Sequence, residues 1–248
     1  MSHAYDARFM SYADRSSRAA AQRIAGLIAG TLTVRSVLDI GCARGTWLDV
    51  WSELGASEIQ GVDGDYVDRA QLVIPAAQFQ AWNLAHPLDL SRDFDLVQSL
   101  EVAEHIAAEH AAVFVENLVR HSRGIVLFSA APPGQGGEFH INEQPYDYWR
   151  ALFAVHGYHA HDWIRPQIAG EPSISFWYRY NIFLYVHEAA APRLPEAIRA
   201  TRVPAERPLA DISPTLFQWR KQLVRRLPEG VKDGLARFKA HYFPSGRW

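Results

Sequence analysis

Two groups of residues have the types and spacing to do chemistry. The first is Glu101-Val-Ala-Glu104-His105, followed later by His140 in the loop sequence EFHINEQP. If Glu101 opens a helix, positions 101, 104 and 105 are three and four apart and share one face, so two carboxylates and an imidazole converge. Such a cluster suits Mg²⁺ or a related divalent ion, because oxygen ligands neutralise the charge while positions stay open for the oxygens of a reactant. His140 supplies a fourth donor. In a metal-free site, His105 or His140 would instead serve as general base.

The second group is VLDIGCARGTW, residues 37–47, read together with Asp63. Val37, Leu38 and Ile40 predict a short buried strand. Gly41, Ala43 and Gly45 then make a turn of small residues that lets the backbone approach a ligand, and a helix starting near Thr46 offers its free N–H groups. Asp63, at the end of a strand beginning at Glu58, is placed to accept hydrogen bonds from a ribose diol. A dinucleotide site wants Gly-x-Gly-x-x-Gly, and here the last glycine falls one residue early, at Gly45. That spacing argues against a nicotinamide-dependent oxidoreductase.

The turn with its following acid resembles motif I of the class I S-adenosylmethionine-dependent methyltransferases, with Ala43 standing where many members have glycine. The resemblance implies that Asp39, Gly41, Cys42, Ala43 and Gly45 line S-adenosylmethionine, and that Asp63 and Gly64 meet its ribose. It implies an adenine contact at Asn83 and Leu84, and a further cofactor contact at Ser99. The Glu-x-x-Glu-His pattern with a later His resembles the metal site of the small-RNA 2′-O-methyltransferases, and its first part also resembles the ubiquinone-pathway O-methyltransferases. On that likeness Glu101, Glu104, His105 and His140 are matched as ligands of Mg²⁺ or Mn²⁺.

The elements that must position these groups follow an α/β order. Residues 2–31 read as a helical lead-in, with Tyr5, Phe9, Met10 and Tyr12 ahead of Ala19, Ile24, Leu27 and Ile28 at mostly helical spacing. Strands are expected at 37–40, 58–62, 79–82, 94–100, 124–130, 160–164 and 176–187, the last being the strongly β-prone FWYRYNIFLYVH. Helices are expected over 46–54, 101–120 and 146–156. Between them, the Pro- and Gly-rich stretch PPGQGGEFHINEQP predicts a loop of the length used for lids and binding. Glu138, Asn142, Glu143 and Tyr146 flank His140 there and are expected to bind substrate or hold the loop.

The fold implied is a Rossmann-like class I methyltransferase fold: a mostly parallel seven-stranded sheet with an antiparallel last strand. Residues 1–33 form the lead-in, 34–190 the methyltransferase domain and 191–248 a basic helical C-terminal extension. In that extension Pro192, Pro195, Pro204 and Pro208 suggest a linker ahead of two amphipathic helices, 214–226 and 229–242, whose Leu216, Phe217, Leu223, Val224 and Leu227 need an apolar surface.

Composition bounds the rest. With 48% hydrophobic and 21% charged residues in 248, the chain suits one soluble α/β domain with appendages. No apolar run is long enough to span a membrane, the N-terminus lacks a signal-peptide core, and the single Cys42 cannot form an internal disulfide, so the cytoplasm is the expected compartment. From Pro192 onward there are 12 Lys and Arg against 5 Asp and Glu, a balance of +7 that leaves −9 on the remainder. An acidic catalytic region argues against a nucleic-acid acceptor, although the basic tail keeps RNA as an alternative. The expectation is therefore a metal-assisted O-methyltransferase acting on a small molecule or a sugar-containing metabolite, with a possible homodimer through the extension. The alternatives are a metal-free enzyme with a histidine base, a methyltransferase for RNA or a lipid-linked glycan, and a non-catalytic cofactor-binding protein.

Overall fold

The computed structural model describes residues 7–226, with side chains from residue 17. The helix expected at 229–242, Leu227, and the side chains of Tyr5, Phe9, Met10 and Tyr12 lie outside the described residues. Helix α1 (Ala7–Ala29) buries Ala20, Ala21, Ile24, Ala25 and Ile28, a stripe at three- and four-residue spacing. It packs on α2 (Thr46–Glu53), and Arg18 crosses the contact to Asp49 and Glu53 at 2.6 and 2.5 Å.

The remaining elements in chain order are β1 (Ser36–Ile40) before α2, then β2 (Glu58–Asp63), β3 (Phe79–Ala81), β4 (Leu96–Leu100), α3 (Ala111–Arg120), β5 (Ile125–Ser129) and α4 (Tyr146–Val155). They continue with β6 (Tyr158–His161), α5 (Arg165–Ile168), α6 (Phe176–Asn181), β7 (Phe183–His187), α7 (Glu196–Arg199) and α8 (Thr215–Arg225). The strands form one seven-stranded sheet in the order β3-β2-β1-β4-β5-β7-β6. All neighbours are parallel except β7, which runs antiparallel to both β5 and β6. Every residue of β1 and β4 is buried, as expected for central strands covered on both faces. The chain order reverses between β1 and β4, and their carboxyl ends, at Gly41 and Glu101, open the crevice where sheets of this kind take ligands.

Three stretches differ from the sequence-based expectation. The helix expected from Glu101 does not start there. Glu101 has φ +57° and its N–H is drawn into the sheet, donating to the Ser129 carbonyl at 3.0 Å and to Ser129 Oγ at 3.1 Å. Two short 3₁₀ turns, Ala103–His105 and Ala108–His110, follow before α3 begins. Residues 101, 104 and 105 therefore meet through a tight turn and not along a helix face.

The run read as one strand over 176–187 is split. Residues 176–181 turn as α6, because Tyr178 packs edge-on against Trp47 (ring centroids 5.4 Å apart) and Asn181 is drawn into a buried polar cluster. Packing here overrides the β-propensity of Phe, Trp and Tyr. The supposed linker is also seated: Leu194, Ile198 and Leu209 are buried, Val203 N–H donates to the Ala160 carbonyl beside β6, and Arg150 donates to the carbonyls of Pro204, Ala205 and Arg207.

Candidate active site

At the cofactor end, the backbone makes the site. Gly41 has φ +92° and passes so close to Val102 that an added Cβ would lie 2.3 Å from a Val102 methyl, so only glycine fits. Ala43 takes φ +48° and Gly45 φ +87°, the latter as the residue preceding α2. The turn is tied to β2 through Asp63. Its carboxylate accepts from Ala43 N–H and Gly64 N–H, both at 2.7 Å, and from the Tyr66 hydroxyl at 2.5 Å.

Below this turn lies a buried polar row. Trp51 Nε1 donates to Gln98 Oε1, and Gln98 Nε2 donates to Asp39 Oδ2, each at 2.9 Å. Burial, opposed by the Gln98 hydrogen bond, raises Asp39 to about 7. Cys42 points away from the crevice: an added Cβ on Gly61 would be 2.6 Å from its Sγ, and burial holds the thiol well above its ordinary value. Only its backbone can face a ligand. Asn83 is exposed and accepts from Ala85 N–H, Leu84 is buried, and the neighbouring Trp82 N–H bonds the Asp63 carbonyl, which brings this segment to the same sheet edge. Ser99 Oγ is buried without a hydrogen-bond partner among the described residues.

At the other end of the crevice, Glu104, His105 and His140 each offer one ligand atom within 4.8 Å of the others. The two imidazoles meet edge-on with centroids 4.9 Å apart, and His140 Nε2 lies 3.9 Å from Glu104 Oε1. Each ring has its other nitrogen occupied: His105 Nδ1 bonds the Phe139 carbonyl at 3.1 Å, and His140 Nδ1 bonds Glu143 Oε1 at 2.9 Å. Gly137 makes room for this, since a Cβ there would sit 2.1 Å from His140 Nε2.

Glu104 is fully buried, and neither carboxylate oxygen has a hydrogen-bond partner among the described residues. The N–H groups of Glu104 itself and Ala131 ease the charge without reaching bonding geometry. Burial first, and then the neighbouring Glu101, raise the Glu104 carboxyl well above its ordinary value. Burial, reinforced by His140, lowers His105 to about 4.

Glu101 is not part of that triad. Its Oε2 accepts from Gln135 Nε2 at 2.8 Å and its Oε1 from Asn181 Nδ2 at 3.1 Å. Asn181 Nδ2 also donates to Gln135 Oε1, and Asn181 Oδ1 accepts from the Tyr146 hydroxyl, both at 2.8 Å. Of the four residues expected to cluster, three bring their ligand atoms together and Glu101 lies alongside, hydrogen-bonded to Gln135 and Asn181.

The loop over 132–145 is held from two sides. Ile141 and Asn142 N–H groups donate to the Glu104 carbonyl, while Gly134 and Gly136 N–H groups donate to the Glu143 carboxylate. From outside, Arg220 of α8 donates to the Gln135 carbonyl at 3.0 Å, and Gly134 lies so near the Lys221 carbonyl that a Cβ would be 2.1 Å away. Of the four non-glycine residues with positive φ among the described residues, three (Ala43, Glu101 and Phe139) sit in this crevice, which is where backbone strain collects at working sites.

A family model described as a methyltransferase domain matches residues 9–164, more than half of the chain. The chain belongs to this methyltransferase family. The class I S-adenosylmethionine-dependent fold expected from motif I is the one observed. Among solved structures, the methyltransferase is similar to magnesium protoporphyrin IX methyltransferase from Synechocystis PCC 6803 with bound SAM, at 19% identity, TM-score 0.52, and coverage of 75% of this chain and 86% of that one. It is also similar to Streptomyces venezuelae DesVI, at 15% identity, TM-score 0.54, and coverage of 70% and 92%. A third is CalS10, an amino pentose methyltransferase from Micromonospora echinaspora, at 14% identity, TM-score 0.50, and coverage of 75% and 98%. These identities speak to the fold. No curated protein matches the sequence.

Sequence reasoning missed Tyr66, Gln135, Asn181 and Arg220 in this methyltransferase. Only Asn181 left a signal, as a lone amide between the aromatic run and the apolar strand.

Proposed function

We propose that the protein is an S-adenosylmethionine-dependent O-methyltransferase acting on a hydroxyl of a small molecule or sugar-containing metabolite, with a divalent ion held by Glu104, His105 and His140. The observation that carries the metal reading is the Glu104 carboxylate, buried beside two imidazoles with no hydrogen-bond partner among the described residues. A buried carboxyl group without partners is expensive, and a cation supplies what the protein withholds. The residues fit such an ion. With Glu101 engaged by amides, the donor set is two imidazoles and one carboxylate, which suits Mn²⁺ better than Mg²⁺, because magnesium favours an all-oxygen shell. When bound, the ion would lower the pKa of the acceptor hydroxyl and orient it.

The chain's own residues do the rest. Phe139 and Glu143 fix one nitrogen of each histidine and leave the other for the metal. His105, held near 4, is neutral at physiological pH as a ligand must be, and is too weak a base to take the proton unaided. Asp63 is assigned to the ribose diol, the Gly41–Gly45 backbone to the rest of the cofactor, and Asn83, Leu84 and Ser99 to secondary contacts. Methyl transfer from sulfonium to oxygen then depends on holding the two reactants in line. An amino pentose methyltransferase of like fold supports a sugar-sized acceptor and makes a nitrogen acceptor the nearest alternative. Residues 34–190 are assigned as the catalytic domain, with 1–33 and 191–248 as helical additions, and the cytoplasm as the compartment.

The test is calorimetric titration of Mn²⁺ and of S-adenosylhomocysteine into the wild type and Glu104→Ala. Because burial raises the Glu104 carboxyl above its ordinary value and it must release its proton to bind a cation, wild-type Mn²⁺ affinity should rise with pH. Glu104→Ala should bind Mn²⁺ at least about a hundredfold more weakly and keep its affinity for S-adenosylhomocysteine. Equal Mn²⁺ isotherms in the two proteins would remove the metal from the mechanism. Failure to bind S-adenosylhomocysteine would remove the cofactor.

A further inference from the structure

Helix α8 is turned inside out relative to an ordinary surface helix. Three of its polar side chains face the protein: Arg220 bonds the Gln135 carbonyl, Lys221 pairs with Asp211 at 2.5 Å, and Gln218 donates to the carbonyls of Asp211 and Ser213. Three of its large apolar side chains face outward, while Phe217 packs inward. Leu216, Trp219 and Leu223 are 82%, 66% and 64% exposed, at the three- and four-residue spacing that forms one stripe. A surface helix normally buries such a stripe against its own domain. Here the inner face is already filled by the loop contacts and by Phe217 against Phe176, so the stripe has no place within the described residues.

The geometry points to docking of this stripe on an anionic lipid surface. Charge selects the occupant. From Ile212 to Pro228 the sequence holds four cations (Arg220, Lys221, Arg225 and Arg226) and no acid. Lys221 is matched by Asp211 and Arg220 is turned to the loop, whereas Arg226 is exposed at the carboxyl end of the stripe, and Arg225, also exposed, runs past Gly134 on the other side of the helix. Tryptophan and leucine on one face with exposed arginines at the helix end is the composition of helices that lie in a membrane interface, the rings and alkyl groups entering the headgroup region while the guanidinium groups meet phosphate. A second copy paired helix to helix on this stripe would bring another cationic helix without an acid to match it. No described helix is long and apolar enough to cross a membrane, so the contact is peripheral.

The test is co-sedimentation of the full chain with vesicles of phosphatidylcholine alone, and of phosphatidylcholine with about one-third phosphatidylglycerol. The protein should bind the second kind and be released by salt. A Leu216→Ser/Trp219→Ser/Leu223→Ser variant should bind roughly tenfold more weakly. Arg225→Gln/Arg226→Gln should also bind roughly tenfold more weakly, with a shallower salt dependence. These residues are exposed, so both variants should melt as the wild type does, which separates lost docking from lost folding. The proposal is overturned by absence of binding to anionic vesicles, or by equal binding of the apolar variant. It is also overturned if the wild type is a dimer in sedimentation velocity and the apolar variant a monomer, since the stripe would then belong to a second copy. Vesicle binding needs neither cofactor nor metal, so its outcome is independent of the methyltransferase reading.

Discussion

At the cofactor end of the crevice, Ala43 meets Asp63 across 20 positions of sequence, and most of the hydrogen bonds come from backbone N–H groups at strand ends. At the acceptor end, Glu101 meets Asn181 across 80 positions and Gln135 meets Arg220 across 85, and side chains carry the contacts. The first end is fixed as soon as β1 and β2 pair. The second is complete only when a loop, α6 and the C-terminal helix have all packed. Disturbing either should therefore leave a different signature, cofactor affinity in one case and metal affinity in the other.

Outside the triad itself, the larger effect is expected from the local end. Asp63→Asn replaces an oxygen that accepts from a backbone N–H with an amide that cannot, and removes the charge from a group already buried. Hydrogen bonds to a charged group are worth about 1.5–3 kcal/mol. S-Adenosylhomocysteine should bind roughly thirtyfold more weakly by calorimetry, with Mn²⁺ binding unchanged. A parallel loss of Mn²⁺ affinity would mean that the two ends are not separable. Arg220→Ala should give the converse signature, with Mn²⁺ affinity and kcat lower by about tenfold and the affinity for S-adenosylhomocysteine preserved, because its single bond to the Gln135 carbonyl steadies the loop from outside. Arg220→Lys, which can still donate to that carbonyl, should restore part of the loss. If the alanine variant keeps wild-type Mn²⁺ affinity, α8 does not position the site.

The same contrast explains what could be read from the sequence. The Gly41–Gly45 turn and Asp63 were legible because their geometry follows from short-range needs: glycine at φ +92° against Val102, and an acid at the end of the next strand. Glu104, His105 and His140 were legible as chemistry, since their types announce it, but the helix supposed to align them was not there. Strand pairing captures the Glu101 N–H at Ser129 and ends the strand in a left-handed residue, a long-range effect that a local helix pattern does not encode. The clamp on Glu101 was illegible for the same reason. Gln135 looks like loop filler and Asn181 sits in a run with every propensity of a strand, and only the packing of Tyr178 on Trp47 makes that run turn. Helix α8 was legible as amphipathic but not in its facing, because hydrophobic periodicity gives the stripe and not its direction.

Tyr66 is the exception to a cofactor end made by backbone, and it sharpens the comparison. Its ring lies over Gly64, where an added Cβ would fall 2.2 Å from Cε1, and its hydroxyl donates to Asp63 Oδ1, the oxygen that also takes the Gly64 N–H. A ribose diol seeking this carboxylate must compete with a phenol already bonded to it. The ring is 58% exposed, so water takes over the hydroxyl's bond when the ring leaves, and the net cost falls well below the about 1.5–3 kcal/mol of a bond to a charged group. Tyr66→Phe removes the competing donor and keeps the ring. The variant should bind S-adenosylhomocysteine about threefold more tightly, the smallest of these effects and opposite in sign to that of Asp63→Asn. A threefold loss would instead show that the hydroxyl stays in place when the cofactor arrives and orients the carboxylate for it. Tyr66 would then join the ribose site as a side-chain member.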